Sequence, residues 1–183
     1  MTGILIVYAS RDGHTRQICE RMRQRLEADD VSMRLVPIDQ AKDLDPSAFD
    51  AVAVGGSVVY GKHDPRLGRF IEDEADHFRQ TPLAFFSVNL IARKAEKRSI
   101  EGNVYVRKFL DNLSVEPDHV EIIAGHLDYP SYGFFDRIMI QLTMKFTEGP
   151  TDRNTVIDYT DYEQVDRFAD RLRDMARESA DDR

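Results

Sequence analysis

The chain cannot close a disulfide on itself, because Cys19 is the one cysteine among its 183 residues. That fits a reducing cytoplasm. Cys19 falls within the first helical pattern and reads as a small buried thiol rather than a reactive one. No run of apolar residues approaches the roughly 20 that a spanning helix needs. The N-terminus lacks a basic start followed by an apolar run, so no signal peptide is expected. Positive charge is scarce: 25 Lys and Arg stand against 33 Asp and Glu, a net charge of −8 that argues against general nucleic-acid binding. His14, His63, His77, His119 and His126 show no ligand spacing with one another or with Cys19, so no metal is expected. No Ser-His-Asp set stands out, and no repeat, linker or low-complexity run marks a second domain. One domain is expected over 1–176, with a frayed tail at 177–183, where the residues are small or charged. A content of 42% hydrophobic and 32% charged residues is ordinary for a globular domain long enough to bury a core.

What is present is an alternation of short apolar runs and helical patterns. Strands are expected at Ile4–Tyr8, Met33–Pro37, Ala51–Gly55, Leu83–Ser87 and Val120–Ala124. Helices are expected near Thr15–Ala28, Arg66–Arg79, Val104–Asn112 and Tyr162–Arg177, the last with Asp161 as N-cap. Such alternation predicts an α/β fold with a parallel sheet covered on both faces. Right-handed crossovers make it doubly wound, and 2-1-3-4-5 is the natural strand order for five strands. Ligands in such sheets sit beyond the carboxyl ends of the strands. Two stretches exceed a minimal unit: 89–103, inserted after the fourth strand, and 125–160, after the fifth. Long loops in compact domains are commonly functional or mobile.

The first strand feeds its helix through Ser10-Arg11-Asp12-Gly13-His14-Thr15. The first N–H groups of a helix have no partner inside it, and the helix dipole adds positive charge there, so a phosphate fits. Ser10 and Thr15 add hydroxyls, and Gly13 allows close backbone approach. The spacing is neither the dinucleotide fingerprint nor the loop of nucleoside triphosphatases. It resembles the phosphate loop of flavodoxins, which hold the single phosphate of FMN; an ordinary helix cap after a core strand is the plainer reading. After the third strand comes Gly55-Gly56-Ser57-Val58-Val59-Tyr60-Gly61. Paired glycines there let a backbone approach a flat ligand, and Tyr60 is placed either to stack on an aromatic ring or to pack on its own protein. Ser87-Val88-Asn89-Leu90 follows the fourth strand. In flavodoxin-like proteins this position flanks the isoalloxazine, so Ser87 and Asn89 would meet its pyrimidine edge and Leu90 would cover it.

Between 89 and 108 six cations face two carboxylates, a net +4 that leaves −12 for the rest of the chain. A basic island in an acidic protein suggests an anionic partner at one place, or simply a solvated loop. Further on, Phe135, Ile138, Met139, Leu142 and Phe146 recur at helical spacing, with Arg137, Gln141 and Lys145 elsewhere on the wheel. Either a core helix or an amphipathic surface helix answers to that pattern.

The run from Phe85 to Arg98, with Tyr105-Val106-Arg107-Lys108-Phe109-Leu110, resembles the bacterial menaquinone-dependent protoporphyrinogen oxidase family. So do the stretches 10–15, 57–61, 124–125, 129–130 and 135–140, which fall in order along nearly the whole chain. The family has Asp where Asp12 stands, although flavodoxins in general often have threonine; Asp12 is expected to cap the helix or pair with Arg11 or Arg16. The resemblance implies a flavodoxin-like fold, FMN as cofactor, and oxidation of protoporphyrinogen IX to protoporphyrin IX in haem synthesis, with menaquinone or ubiquinone as acceptor. Cofactor contacts are then expected from 10–15, Ser57, Val58, Tyr60, Gly61 and 87–90. The substrate's propionates are expected on Arg93, Lys94, Lys97 and Arg98, since Arg grips a carboxylate with two bonds and Lys supplies a mobile charge. A lipid-soluble acceptor favours the surface reading of 132–146, which would rest on the membrane. The location implied is peripheral, on the cytoplasmic face of the bacterial inner membrane. His63, beside Tyr60, is a candidate catalytic base. The rival readings are an electron-carrier flavodoxin, a flavodoxin-like NAD(P)H:quinone reductase, and a flavin-free module that recognises an anion.

Overall fold

A computed structural model describes residues 2–27, 29, 31–42 and 44–181. Five parallel strands form the sheet: β1 (Gly3–Ala9), β2 (Ser32–Pro37), β3 (Ala51–Ser57), β4 (Leu83–Asn89) and β5 (His119–Ala124). Their order is β2-β1-β3-β4-β5, as expected from the alternation. The central strands are buried on both faces, which is why Ile4-Leu5-Ile6-Val7 and Leu83-Ala84-Phe85-Phe86 are continuously apolar rather than alternating.

On one face α1 (His14–Glu27) and α6 (Tyr162–Asp181) pack Ile18, Met22 and Leu26 with Phe168, Leu172 and Met175. On the other face α2 (Pro65–Asp73) and α3 (Ala75–Phe78) contribute Leu67, Ile71 and Phe78, while α4 (Val104–Leu110) packs Val106 near Phe85. The helix expected over 66–79 is broken at Glu74, whose φ of −108° and ψ of 17° leave helical geometry. Pro65 opens α2 beneath an Asp64 cap, where its missing N–H costs nothing. The expected end of α1 at Ala28 lies outside the described residues. Instead of fraying from 177, α6 continues to Asp181, with Ala176 still buried against the sheet; 182 and 183 lie outside the described residues.

Both extra stretches are ordered. The one after β4 folds into two short 3-10 turns, Leu90–Arg93 and Ala95–Lys97. The one after β5 forms an antiparallel ribbon, β6 (His126–Asp128) with β7 (Val156–Asp158), and α5 (Phe134–Phe146) between them. A small core of Leu127, Tyr129 and Met144, joined by Leu90 and Ile140, seats this unit on the end of β4. Of the residues of α5 only Met144 is buried. Phe134, Phe135 and Phe146 are 72, 79 and 85% exposed, so the core-helix reading of this segment falls.

Phe168 and Phe146 therefore predict opposite outcomes. Phe168→Ala should cost about 3–5 kcal/mol, because it empties a packed site beside Phe86 and His119. Phe146→Ser should change stability by no more than about 0.5 kcal/mol. Urea unfolding midpoints of the two variants check the contrast.

Candidate functional site

At the head of α1 the chain turns through Gly13, whose φ of 89° suits glycine. Asp12 caps the helix, its Oδ1 accepting from the His14 N–H at 3.1 Å, and Ser10 Oγ accepts from the Gly13 N–H at 3.1 Å. The Ser10 hydroxyl proton stays free to donate. Thr15 Oγ1 is buried with no hydrogen-bond partner. A buried hydroxyl without a partner at the positive end of a helix fits an anionic oxygen, and this supports the phosphate reading. His14 turns inward instead. Its Nε2 lies 2.8 Å from Thr160 Oγ1, its ring packs on His126, and burial lowers its pKa.

The paired glycines of β3 do a different job from the one expected. A Cβ at Gly55 would sit 2.0 Å from the Phe86 carbonyl oxygen, and one at Gly56 would sit 2.6 Å from that of Ala9. They are required by the neighbouring strands, not by a ligand. Beyond them Val59 and Lys62 pair across a turn whose central residues, Tyr60 and Gly61, have φ of 50° and 75°. This left-handed turn lifts the Tyr60 ring, 56% exposed, over the edge of the sheet. Its hydroxyl donates to Asp136 Oδ1 in the first turn of α5. Arg11 bonds Asp136 Oδ2 at 3.0 Å and lies over the Tyr60 ring at 5.0 Å.

These pieces enclose a cleft of about 390 Å³. Arg11, Asp12, His14 and Thr15 line one end, while Ser57, Val58, Val59, Tyr60, Val88, Asn89 and Leu90 line the other. Gly125, His126, Tyr132, Asp136 and Ile140 close it from the insert. The cleft can seat a phosphate at one end and a flat apolar ring at the other. The insert residues were missed in the sequence reading. The signal for Asp136 was one carboxylate in an otherwise apolar helical turn.

Several expected contacts do not reach this cleft, and Ser10, Gly13 and Gly61 lie outside its lining. Ser87 is fully buried and lies outside the cleft lining. Its Oγ accepts from Asn89 Nδ2 at 2.9 Å and lies 2.8 Å from His63 Nε2. The Asn89 side chain is spent as a cap, its Oδ1 accepting from the Ala92 N–H and from Asn103 Nδ2. His63, the candidate base, is likewise absent from the cleft lining and packs against the sides of the stacked Phe85 and Phe109 rings. Alternation along β4 turns Ser87 inward, and the chain after Lys62 dives toward α2, taking His63 with it.

The basic island is also partly committed. Arg93 donates to the carbonyls of Leu90 and Thr147 and to Thr147 Oγ1, so it caps the C-terminal end of α5 instead of facing an open surface. Lys94 pairs with Glu148 at 3.0 Å, and Arg98 Nε donates to the Ala92 carbonyl. The Lys97 ammonium has no ion pair among the described residues.

Burial pushes the His63 imidazole down to about 4, against about 6.5 in an unfolded chain. As pH falls through that window the unfolded state takes up the proton first, so the group penalises the fold by about 3 kcal/mol at pH 4 and not at pH 7. Relative to a His63→Leu variant, the native chain should lose about that much stability between pH 7 and pH 4 in urea titrations. Parallel pH profiles would mean that the imidazole is solvated.

A flavodoxin-domain family model matches residues 5–154. The chain is 39% identical to the Escherichia coli K12 protein named protoporphyrinogen IX dehydrogenase (quinone), over 90% of this chain and 91% of that protein. It is 40% identical to a Leishmania major protein of the same name, over 90% of this chain and 72% of the relative. Among solved structures, the fold matches a Streptococcus pneumoniae flavodoxin at a TM-score of 0.54 and 14% identity, covering 94% of this chain and 99% of that one. It also matches a Fusobacterium nucleatum flavodoxin bound to flavin mononucleotide, at a TM-score of 0.52 and 12% identity, covering 95% and 98%. The chain belongs to the flavodoxin-domain family, within the group whose curated members are named protoporphyrinogen IX dehydrogenase (quinone).

Proposed function

We propose that this chain holds FMN in the cleft and oxidises protoporphyrinogen IX to protoporphyrin IX, with menaquinone or ubiquinone as the acceptor. The observation that carries this reading is the insert seated on the cleft: α5 is clamped through Asp136 to Tyr60 and Arg11, while its apolar face is left outside. An electron carrier with no substrate of its own has no use for such a helix.

The flavin supplies two-electron oxidation, used three times for the six electrons that separate porphyrinogen from porphyrin. The protein supplies position. Thr15 Oγ1, Ser10 Oγ and the α1 N–H groups that follow His14 would hold the phosphate, Tyr60 would flank the ring, and Val88 and Leu90 would cover its far end. Lys97, with Lys94 and the free donors of Arg98, offers the charge that substrate carboxylates need. No helix among the described residues is long and apolar enough to cross a membrane. The α5 face of Phe134, Phe135, Met139, Leu142 and Phe146 instead suits lying in a bilayer interface, where a lipid-soluble quinone is met. That face supports a peripheral location, on the cytoplasmic side of the bacterial inner membrane.

Anaerobic mixing of FMN-loaded protein with protoporphyrinogen IX should bleach the flavin as porphyrin fluorescence rises, and added quinone should restore the flavin colour. A flavin that stays oxidised returns the chain to the carriers; bleaching by NADPH without porphyrinogen makes it a reductase. Thr15→Val should weaken FMN binding about tenfold, a loss of about 1.4 kcal/mol for one hydrogen bond to a charged oxygen, while riboflavin binding is unchanged. Serine at Phe134, Phe135 and Phe146 together should abolish co-sedimentation with anionic vesicles and leave turnover with a water-soluble quinone intact.

A further inference from the structure

A second cavity, of about 520 Å³, lies between α2 and α4, on the far side of the Tyr60–Gly61 turn from the cleft. Gly61, His63, Pro65, Gly68, Tyr105 and Phe109 are part of its wall. We propose that this cavity binds the ring of the acceptor quinone, with His63 Nδ1 donating to one quinone carbonyl. The inference rests on the quinone-reducing function proposed above and adds to it a place for the acceptor apart from the cleft.

Three observations converge on it. The first is the state of His63, 6% exposed and with a buried Nδ1 that has no hydrogen-bond partner. A polar atom left in that state costs about 1–3 kcal/mol, so it asks for a ligand atom. Its polarity follows from its neighbours. Ser87 Oγ accepts from Asn89 Nδ2, and with the serine hydroxyl proton turned to His63 Nε2 the imidazole hydrogen sits on Nδ1, the tautomer this proposal uses. A quinone carbonyl is an acceptor only, and it matches that donor. Burial keeps the imidazole neutral at physiological pH, so the donor survives without a charge beside the Phe85 and Phe109 rings.

The second observation is Gly68, in the interior of α2. Its backbone is not left-handed, and a Cβ there would meet Phe109 at 3.6 Å, an ordinary contact. Neither conformation nor packing demands glycine, yet it costs the helix about 1 kcal/mol relative to alanine. What glycine does there is leave the cavity open. The third observation is position. Phe109 stacks on Phe85 at 4.4 Å and, with Tyr105, offers an aromatic wall to a flat ring. Tyr60 lines the cleft and Gly61 lines the cavity, so one turn of chain separates the two. The quinone leaves as quinol after taking two electrons and two protons, the number that the porphyrinogen gave up in one round.

Gly68→Ala and Gly68→Leu test this, in the full FMN-loaded chain reduced anaerobically with dithionite. Such reduction keeps the result independent of whether porphyrinogen is the physiological donor, which the mixing experiment above decides. Gly68→Ala should raise the melting temperature and still raise the half-saturating concentration for reoxidation by menadione or a short-chain ubiquinone several-fold. Gly68→Leu should raise it about tenfold or more, with reoxidation by ferricyanide, which needs no pocket, unchanged. Calorimetric binding of menadione to the oxidised, FMN-loaded chain should be lost in Gly68→Leu and weakened in His63→Phe. An effect on one quinone ring type alone identifies which acceptor the cavity selects. Half-saturation equal to the native protein's in both glycine variants, or menadione binding that survives Gly68→Leu, overturns the proposal and leaves quinone to react at the open edge of the cleft.

Discussion

A buried chain of four polar side chains fixes the carboxyl edge of the sheet. His63, Ser87, Asn89 and Asn103 are all buried, and each is hydrogen-bonded to the next. Together they tie the loop after β3, the end of β4, the 3-10 turns and the start of α4. Each such bond contributes only about 1 kcal/mol net, but a buried member left alone costs more, so the set holds together or fails together. Asn89 and Asn103 are also caps, accepting from the Ala92 and Val106 N–H groups. The floor of the cleft and one wall of the second cavity are thus set by the same atoms.

The insert depends on that edge from the other side. Arg93, standing on the turn that Asn89 caps, sends its guanidinium to Thr147 at the end of α5, where helix carbonyls lack partners. At the opposite end of the helix Asp136 is bound to Tyr60 and Arg11. Held at both ends by polar contacts, α5 does not need its apolar stripe for folding. A stripe with three phenylalanines more than 70% exposed is far from the scattered apolar exposure of ordinary surfaces, and it marks a contact face. Gly149 makes the junction possible, because a Cβ there would lie 2.4 Å from the Met144 sulfur.

Local pattern carried the sheet, its strand order and the junction from β1 into α1 with its Asp12 cap, since each rests on neighbours in sequence. What sequence hid was the partner of each polar group. Arg93 looks like a free cation, because Thr147 is 54 residues away. Gly55 and Gly56 look like a ligand's doorway, because the carbonyls that crowd them belong to strands paired only in the fold. The strands β6 and β7, three residues each, are too short for any period to register. His63 and Asn89 were noticed as polar groups near the right edge. Their burial, which sets one against phenylalanine rings and makes the other a cap, depends on α4 packing over them.

Parallel strands all end at one edge, and this geometry explains why the functional elements are concentrated there. The phosphate loop, the Tyr60 turn, the basic turns, the insert and the second cavity all sit on or beside the carboxyl ends of β1, β3, β4 and β5. A donor that is a large carboxylated ring and an acceptor that is a lipid-soluble ring cannot easily share a 390 Å³ cleft already fitted to a flavin. Among the openings at that edge, one lies beside α5 and one beside α2, divided by the single turn at Tyr60 and Gly61. The left-handed turn is what divides them: the Tyr60 side chain lines the cleft and the Gly61 backbone the cavity.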